Sequence, residues 1–257
     1  MFRKLRILFL LLLLLGVAVD TWLSKVRSTD WDEPLRIVIY PINGDDSPQS
    51  QTYIEALRLA DFKAIEDFMV EEAGEFQLSL HKPVDIYLSN PMQQRPPTPP
   101  ADRNSILAVM WWSLKMRYWA FFEHNYKGPK PDVKVFVLYH DPETNRELPH
   151  SLGLEKGLIG VVNGFASARY AGTNQVVITH EMLHTLGATD KYDVRNGRPL
   201  FPAGYVDPDK KPLYPQDLAE IMAGQIPLSE TTFRMPNNLD ETVIGHISAF
   251  EINWVAQ

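Results

Sequence analysis

The chain has 257 residues, of which 45% are hydrophobic and 22% are charged, enough to bury one core without disulfides. Its formal net charge of −7 offers no basic surface, so we expect no nucleic-acid partner. It contains no cysteine, which excludes disulfide frameworks, cysteine-rich zinc ribbons and thiol nucleophiles.

The first twenty residues have the pattern of an export signal. Three basic residues precede an apolar run from Ile7 to Val19, which Asp20 ends. This run of 13 residues, or about 15 when counted from Leu5, is short for a bilayer span, which takes about 20. Residues 1–23 are therefore either a cleaved signal peptide or a retained signal anchor. In both cases the positive-inside rule predicts an extracytoplasmic domain, periplasmic or extracellular, and we expect residues 5–23 to tether it to the membrane.

After a polar spacer at 24–34, the chain contains both strand and helix patterns. Short apolar runs predict strands at 35–40, 84–88, 133–139 and 158–165. Helical spacing of apolar side chains predicts helices at 50–73, 104–124, 173–186 and 239–255. The first strand would end at Pro41, and Asn238 would cap the last helix. Residues 190–236 are rich in Pro, Gly and Asp and lack periodicity, which predicts either long ordered loops or very little ordered structure. The pattern predicts an α/β (α+β) fold in one domain over 35–257.

Two of these elements have a distinctive composition. The strand at 133–139 is apolar enough to lie centrally in a sheet, whereas glycines interrupt the strand at 158–165, as in many edge strands. The helix over 104–124 is apolar nearly all round, although Lys115 and Arg117 in its middle argue against a membrane span. We therefore expect it to be a core helix, buried on several sides.

Residues 180–184 read His-Glu-Met-Leu-His, the HExxH pattern. His180 and His184 are one helical turn apart, so both imidazoles can bind one Zn²⁺. Glu181 is rotated by about 100° from His180, so its carboxylate can address a metal-bound water without ligating the metal. Zinc lowers the pKa of that water towards 7, and the carboxylate can take its proton as the water attacks a polarised carbonyl. The pattern therefore predicts a hydrolytic site with one zinc ion.

The next residues extend the pattern to HExxHxxGxxD through Gly187 and Asp190. Over roughly 134–257 the sequence thereby resembles the metzincin clan of zinc peptidases. The resemblance implies a zincin-like mixed sheet with a backing helix and an active-site helix, and an irregular C-terminal lobe ending in a helix. It further implies that the chain turns back at Gly187 so that Asp190 becomes the third zinc ligand.

The same resemblance assigns two further features. A methionine turn would lie beneath the metal, and Met222 is the candidate for it. The strand at 158–165 would be the edge that pairs with an extended substrate peptide, through Gly160, Val161 and Val162.

The third ligand has alternatives in this sequence. Asp193 follows Asp190 closely, and Glu220 lies at a distance that suits zincins whose third ligand is a downstream glutamate. An aspartate in place of a third histidine makes the site about one charge unit less positive, and the bound water less acidic. Three tyrosines could stabilise an oxyanion, namely Tyr192, Tyr205 and Tyr214.

The function that these patterns predict is a zinc metallopeptidase, an endopeptidase rather than an exopeptidase, with a protein or peptide substrate. One alternative is a zinc hydrolase that acts on cell-wall peptides. Another is a membrane-anchored, zinc-stabilised interaction domain without catalysis, although a structural zinc site would need no general base such as Glu181.

Overall fold

A five-stranded mixed sheet forms the centre of the fold in a computed structural model of the protein, which describes residues 27–100, 102, 105–123 and 126–255 and six isolated positions before residue 20. Apart from those six positions, the predicted leader at 1–23 lies outside the described residues. Within the described ranges, no helix combines the length and the apolarity that crossing a bilayer requires.

The sheet confirms the predicted mixed α/β class. Its strands are β1 (Leu35–Asn43), β2 (Val84–Leu88), β3 (Val133–His140), β4 (Leu152–Leu154) and β5 (Ile159–Phe165). They lie in the order β2-β1-β3-β5-β4, and among these five described strands only β4 is antiparallel to its neighbour. As predicted, β3 is central, and its apolar run is buried on both faces of the sheet.

Five α-helices accompany the sheet in the described part of the chain. They are α1 (Pro48–Ala56), α2 (Lys63–Glu75), α3 (Ile106–Phe122), α4 (Ala171–Leu186) and α5 (His246–Glu251). One face of the sheet packs on apolar side chains of α1, α2 and α4, and the other face packs on α3. The site helix α4 therefore lies between the sheet and the C-terminal residues.

The predicted single helix over 50–73 is wrong, because two helices occupy this segment. A 3₁₀ turn at Leu59–Phe62 separates α1 from α2, and the chain is extended at Arg58. The Arg58 backbone N–H donates a hydrogen bond to the Asp61 carboxylate at 2.7 Å, which starts a new helical segment. Similarly, Pro41 does not end β1, since it pairs with Val137 of β3 and the strand continues.

The expectation that 158–165 is the edge strand is also wrong. β4 covers it, with Gly153 opposite Gly160 and Leu152 opposite Val161. The hairpin between them turns through two residues with positive φ, Gly157 at 119° and Leu158 at 52°. The edge of the sheet is therefore the short strand β4.

The predicted C-terminal helix over 239–255 is much shorter in the structure. The segment begins as a 3₁₀ turn and then forms β11 (Thr242–Val243), which pairs with β8 (Ala219–Glu220) before α5 starts. Asn238 makes no capping hydrogen bond from its side chain. The helical pattern fails here because the backbone N–H of Ile244 donates to the buried Glu72 carboxylate of α2 instead of to a helical carbonyl.

The rest of the C-terminal lobe consists of ordered loops, one of the two predicted outcomes. Its short strands pair as β6 (Tyr192–Asp193) with β7 (Arg198–Pro199) and β9 (Ile226–Pro227) with β10 (Phe233–Arg234).

The expectation that the aromatic helix, α3, is buried on several sides is wrong as well. Only Trp112, Met116 and Ala120, spaced at four residues, are buried, and of these Met116 and Ala120 pack on the sheet. The exposed side could not be predicted from composition, because a helix that is apolar all round has no polar face to mark it.

Candidate metal centre

The helix α4 holds both histidines of the HExxH motif in fixed positions. Its inner face, including Met182 and Leu183, is buried in the main core. The helix ends at Gly187, whose φ of 110° is left-handed, and the N–H of Ala188 bonds back to the Leu183 carbonyl at 3.1 Å. The chain therefore reverses at Gly187, as predicted, and returns towards the histidines.

This reversal brings Asp190 onto His180 and His184. One carboxylate oxygen of Asp190, Oδ1, lies 2.9 Å from Nε2 of His184 and 3.3 Å from Nε2 of His180. Tetrahedral zinc with bonds of about 2.0–2.1 Å separates its ligand atoms by about 3.3 Å. Two imidazole nitrogens and one carboxylate oxygen are also a donor set that zinc accepts. The three side chains could therefore close around one such ion with small movements.

The tautomer of each histidine is set by a backbone carbonyl. Nδ1 of His180 lies 2.9 Å from the Ile221 oxygen, and Nδ1 of His184 lies 2.7 Å from the Ala188 oxygen. A carbonyl oxygen can only accept, so each Nδ1 must carry the hydrogen. Each Nε2 then faces Asp190: it donates to that carboxylate when the imidazole is charged, and offers its lone pair to a metal ion when the imidazole is neutral.

The charges in this cluster stabilise one another. Burial raises the pKa of Asp190, but hydrogen bonds from His180 and His184 outweigh it and hold that pKa well below its usual range. Burial lowers the pKa of His180, but the hydrogen bond to Asp190 and the charge of Glu181 produce a net rise. Asp190 and the two imidazoles therefore form one compact cluster of interacting groups.

Glu181 is buried beside this cluster, with 6% of its surface exposed. Burial raises the pKa of its carboxyl, and the two neighbouring histidines offset part of that rise. The edge strand β4 passes directly over this turn of the helix. A Cβ atom added to Gly153 would lie 2.3 Å from Cβ of His184 and 2.5 Å from the carbonyl oxygen of Glu181. Glycine is thus the residue that lets the sheet edge approach the site.

The predicted methionine turn touches the site through its backbone. Residues 220–224 form a tight turn in which the N–H groups of Ala223 and Gly224 both donate to the Glu220 carbonyl. Met222 is fully buried in the main core. The preceding residue, Ile221, provides the carbonyl that orients His180.

Of the three candidate third ligands, only Asp190 joins His180 and His184. The Glu220 carboxylate instead accepts hydrogen bonds from its own turn and from the segment that enters α5. The donors are the N–H of Ala223 at 2.8 Å, the N–H of Gly245 at 3.1 Å and Oγ of Ser248 at 2.6 Å. Asp193 pairs with Arg195 at 2.6 Å. Glu220 therefore supports the methionine turn rather than facing the metal position.

The three tyrosines occupy two different places. The Tyr192 ring lies 6.3 Å from the His180 ring, centroid to centroid. Burial raises the pKa of Tyr192 to about 12, and the nearby carboxylates of Asp190 and Glu181 add to the rise. Tyr205 and Tyr214 contact each other, 3.0 Å apart at their hydroxyls, in a separate cavity of the loop region. Tyr192 is thus the tyrosine at the site.

Sequence reasoning missed the contact that fixes the loop carrying Asp190. Lys191 is 4% exposed, and its Nζ lies 2.7 Å from a Glu251 carboxylate oxygen and 2.8 Å from Oγ1 of Thr189. Glu251 is the last residue of α5, so the ligand loop is attached to the C-terminal helix. No local pattern predicts an ion pair sixty residues apart in the sequence.

No family model matches the chain, and a search of curated proteins also finds no significant match.

Proposed function

We propose that the protein is a zinc-dependent peptidase, with His180, His184 and Asp190 as ligands of one ion and Glu181 as general base. The observation that carries the proposal is the convergence of two imidazole Nε2 atoms and one carboxylate oxygen next to a buried glutamate. The intact glutamate favours catalysis over a purely structural zinc site, which would need no base.

In this proposal zinc, when bound, supplies the Lewis acidity that polarises a substrate carbonyl and makes a water molecule more acidic. The Glu181 carboxylate takes a proton from the attacking water and delivers it to the leaving amine. Its buried position favours the first of these steps, because burial raises the pKa of the group and makes it a stronger base. Tyr192 is the candidate to donate a hydrogen bond to the substrate oxygen as negative charge develops there.

We propose that the substrate is an extended peptide that pairs with β4. In the described part of the chain no strand pairs with the outer side of β4. Main-chain hydrogen bonds along this side would lead a peptide past the turn of α4 that carries Glu181 and His184, since Gly153 contacts that turn. The role proposed from sequence for Gly160, Val161 and Val162 passes to residues 152–154, because β4 covers the first two of them.

We propose an extracytoplasmic location, with residues 5–23 as the membrane tether. The support is the basic start and the apolar run of the leader. A peptidase with a site beside a sheet edge would then act on peptides or proteins outside the cytoplasm, cell-wall peptides included.

The test is a paired measurement of metal content and peptide cleavage on the purified full chain. We expect one zinc per chain in the wild type and cleavage of a peptide library. Glu181→Gln should retain the zinc and lose about 10²–10⁴-fold in rate, the usual contribution of a general base. Glu230→Gln, at an exposed loop position, is the matched control and should cleave normally.

Two results would contradict the proposal. One is cleavage by Glu181→Gln at the wild-type rate, which would assign the activity to another group or to a contaminant. The other is stoichiometric iron in place of zinc, because two histidines and one carboxylate also form the ligand set of non-haem iron oxygenases. Stoichiometric zinc without any cleavage would favour the non-catalytic interaction domain.

A further inference from the structure

One face of α3 is a large apolar surface without a partner in the described part of the chain. Its side chains are exposed by 55–79%, and they are Ile106, Leu107, Met110, Trp111, Leu114, Tyr118, Phe121 and Phe122. At about 100° per residue these positions share one half of the helix. An apolar surface this large on a globular domain usually marks an interaction site.

The exposed face is not an unfinished core, because the opposite face of α3 is firmly placed. Met116 and Ala120 are buried against the sheet, in the same cluster as Phe136 of β3. The Trp112 indole N–H donates to the Pro97 carbonyl at 2.8 Å. The helix therefore presents a fixed apolar surface, about 25 Å long for 17 residues.

We propose that this face of α3 lies in the interfacial region of a lipid bilayer, parallel to the membrane surface. Its chemistry fits that position, because Trp111 and Tyr118 have amphipathic rings of the type enriched where acyl chains meet headgroups. The helix does not need to span the membrane to bury this face.

The charge around the face favours a membrane with anionic lipids. In a chain with a formal net charge of −7, α3 contains no carboxylate and one exposed cation, Lys115, while Arg117 is partly buried beside Gly157. Glu123 follows the helix directly. Lys127 and Lys130 follow shortly after its end, both exposed. Each basic group near an anionic surface contributes about 1 kcal/mol.

The contacts where the predicted leader joins the domain also favour a position of α3 at the membrane surface. Arg27 is held against Asp132, with Nε 2.7 Å from Oδ1. Asp132 ends the segment that follows α3, and Lys134 just beyond it donates from Nζ to the Ala120 carbonyl of α3. Arg27 is four positions after residue 23, the end of the predicted leader, a reach of at most about 14 Å. A leader held in the bilayer would therefore keep the C-terminal part of α3 at its surface.

The proposal does not depend on zinc or on catalysis, and the absence of cysteine provides a direct test. Single cysteines at Leu107, Leu114 and Phe121 would carry a nitroxide label in the full chain, reconstituted in phosphatidylcholine vesicles with phosphatidylglycerol. Val70 on α2 and Val194 in the loop region are exposed controls on the same tethered molecule. All five positions are exposed, so the substitutions leave the core unchanged.

We expect the three α3 labels to have a several-fold higher ratio of oxygen to nickel-chelate accessibility than the two controls, because oxygen concentrates in the acyl region. The leader tethers every labelled molecule alike, so a difference between positions reports on α3 alone. Equal ratios at all five positions would overturn the proposal. Protection of the α3 labels from both reagents would also overturn it, since that result would indicate a protein partner such as a second copy.

Discussion

Replacing Glu220 with alanine should destabilise the fold and leave the metal ligands in place. Replacing Asp190 with alanine should remove a metal ligand and cost less stability. Glu220 is 1% exposed and accepts three hydrogen bonds, from its own turn and from the segment that leads into α5. Asp190 has a side chain that is 32% exposed and faces the two histidines.

The magnitude follows from the donors that the alanine would leave behind. A buried donor that loses its partner costs about 1–3 kcal/mol. Burial raises the pKa of Glu220, which offsets part of this stabilisation in the wild type. The Ala223 N–H keeps the Glu220 backbone carbonyl as a partner, so the Gly245 N–H and Ser248 Oγ are the donors left unpaired. Two such donors give a loss of about 2–5 kcal/mol in the free energy of unfolding. For a chain of this size the melting temperature should fall by roughly 4–20 °C, at about 2–4 °C per kcal/mol.

The assay is thermal unfolding followed by circular dichroism, with EDTA present so that bound metal does not contribute, and zinc content measured separately. Glu220→Gln keeps an acceptor oxygen and should lose clearly less stability than Glu220→Ala. Asp190→Ala should lose its zinc and, because the Asp190 carboxylate accepts hydrogen bonds from both histidines, should also lose some stability, though less than Glu220→Ala. A Glu220→Ala protein that melts normally and lacks zinc would refute this reasoning, because Glu220 would then be the ligand.

Three other changes test individual features of the fold and of the site. Gly187→Ala places a side chain at φ 110° and should cost about 1–2 kcal/mol in a denaturant titration; an unchanged midpoint would contradict the left-handed cap. Gly153→Ala would put Cβ 2.3 Å from Cβ of His184 and should lower both the melting temperature and cleavage, whereas Gly160→Ala, with its nearest contact at 3.5 Å, should be tolerated. Burial raises the pKa of Glu72 from 4.5 to about 7, so the wild type should lose stability as pH rises from about 4.5 through 7. Glu72→Gln should therefore gain up to about 3 kcal/mol over the wild type at pH 8 and almost nothing at pH 4; a difference independent of pH would exclude this titration.

Local sequence patterns predicted the strands and helices that depend mainly on the spacing of their own residues. The strands β2 and β3 and the helix α4 lie within a few residues of their predicted bounds. Elements defined by distant partners were not predictable in the same way. The C-terminal segment has helical spacing, but its backbone pairs with β8 and its Ile244 N–H bonds to Glu72, 172 residues away in the sequence.

The same division holds within the site. The spacing of His180 and His184 is a property of one helical turn, and Gly187 is a local signal for the reversal that brings Asp190 back. By contrast, Glu220 looked like a possible ligand because only its distance along the chain was visible. Its three donors come from two segments that meet only in the folded protein.

The most direct test of the metal centre is the X-ray absorption spectrum at the zinc edge, measured on the zinc-loaded full chain, because it reports the ligands of the ion and their distances. We predict one zinc per chain, with two imidazole nitrogens and at least one oxygen at about 2.0–2.2 Å. His184→Ala should remove one imidazole contribution or the ion itself. A wild-type protein that holds no zinc after dialysis, or holds it without imidazole ligands, would contradict the assignment of His180, His184 and Asp190.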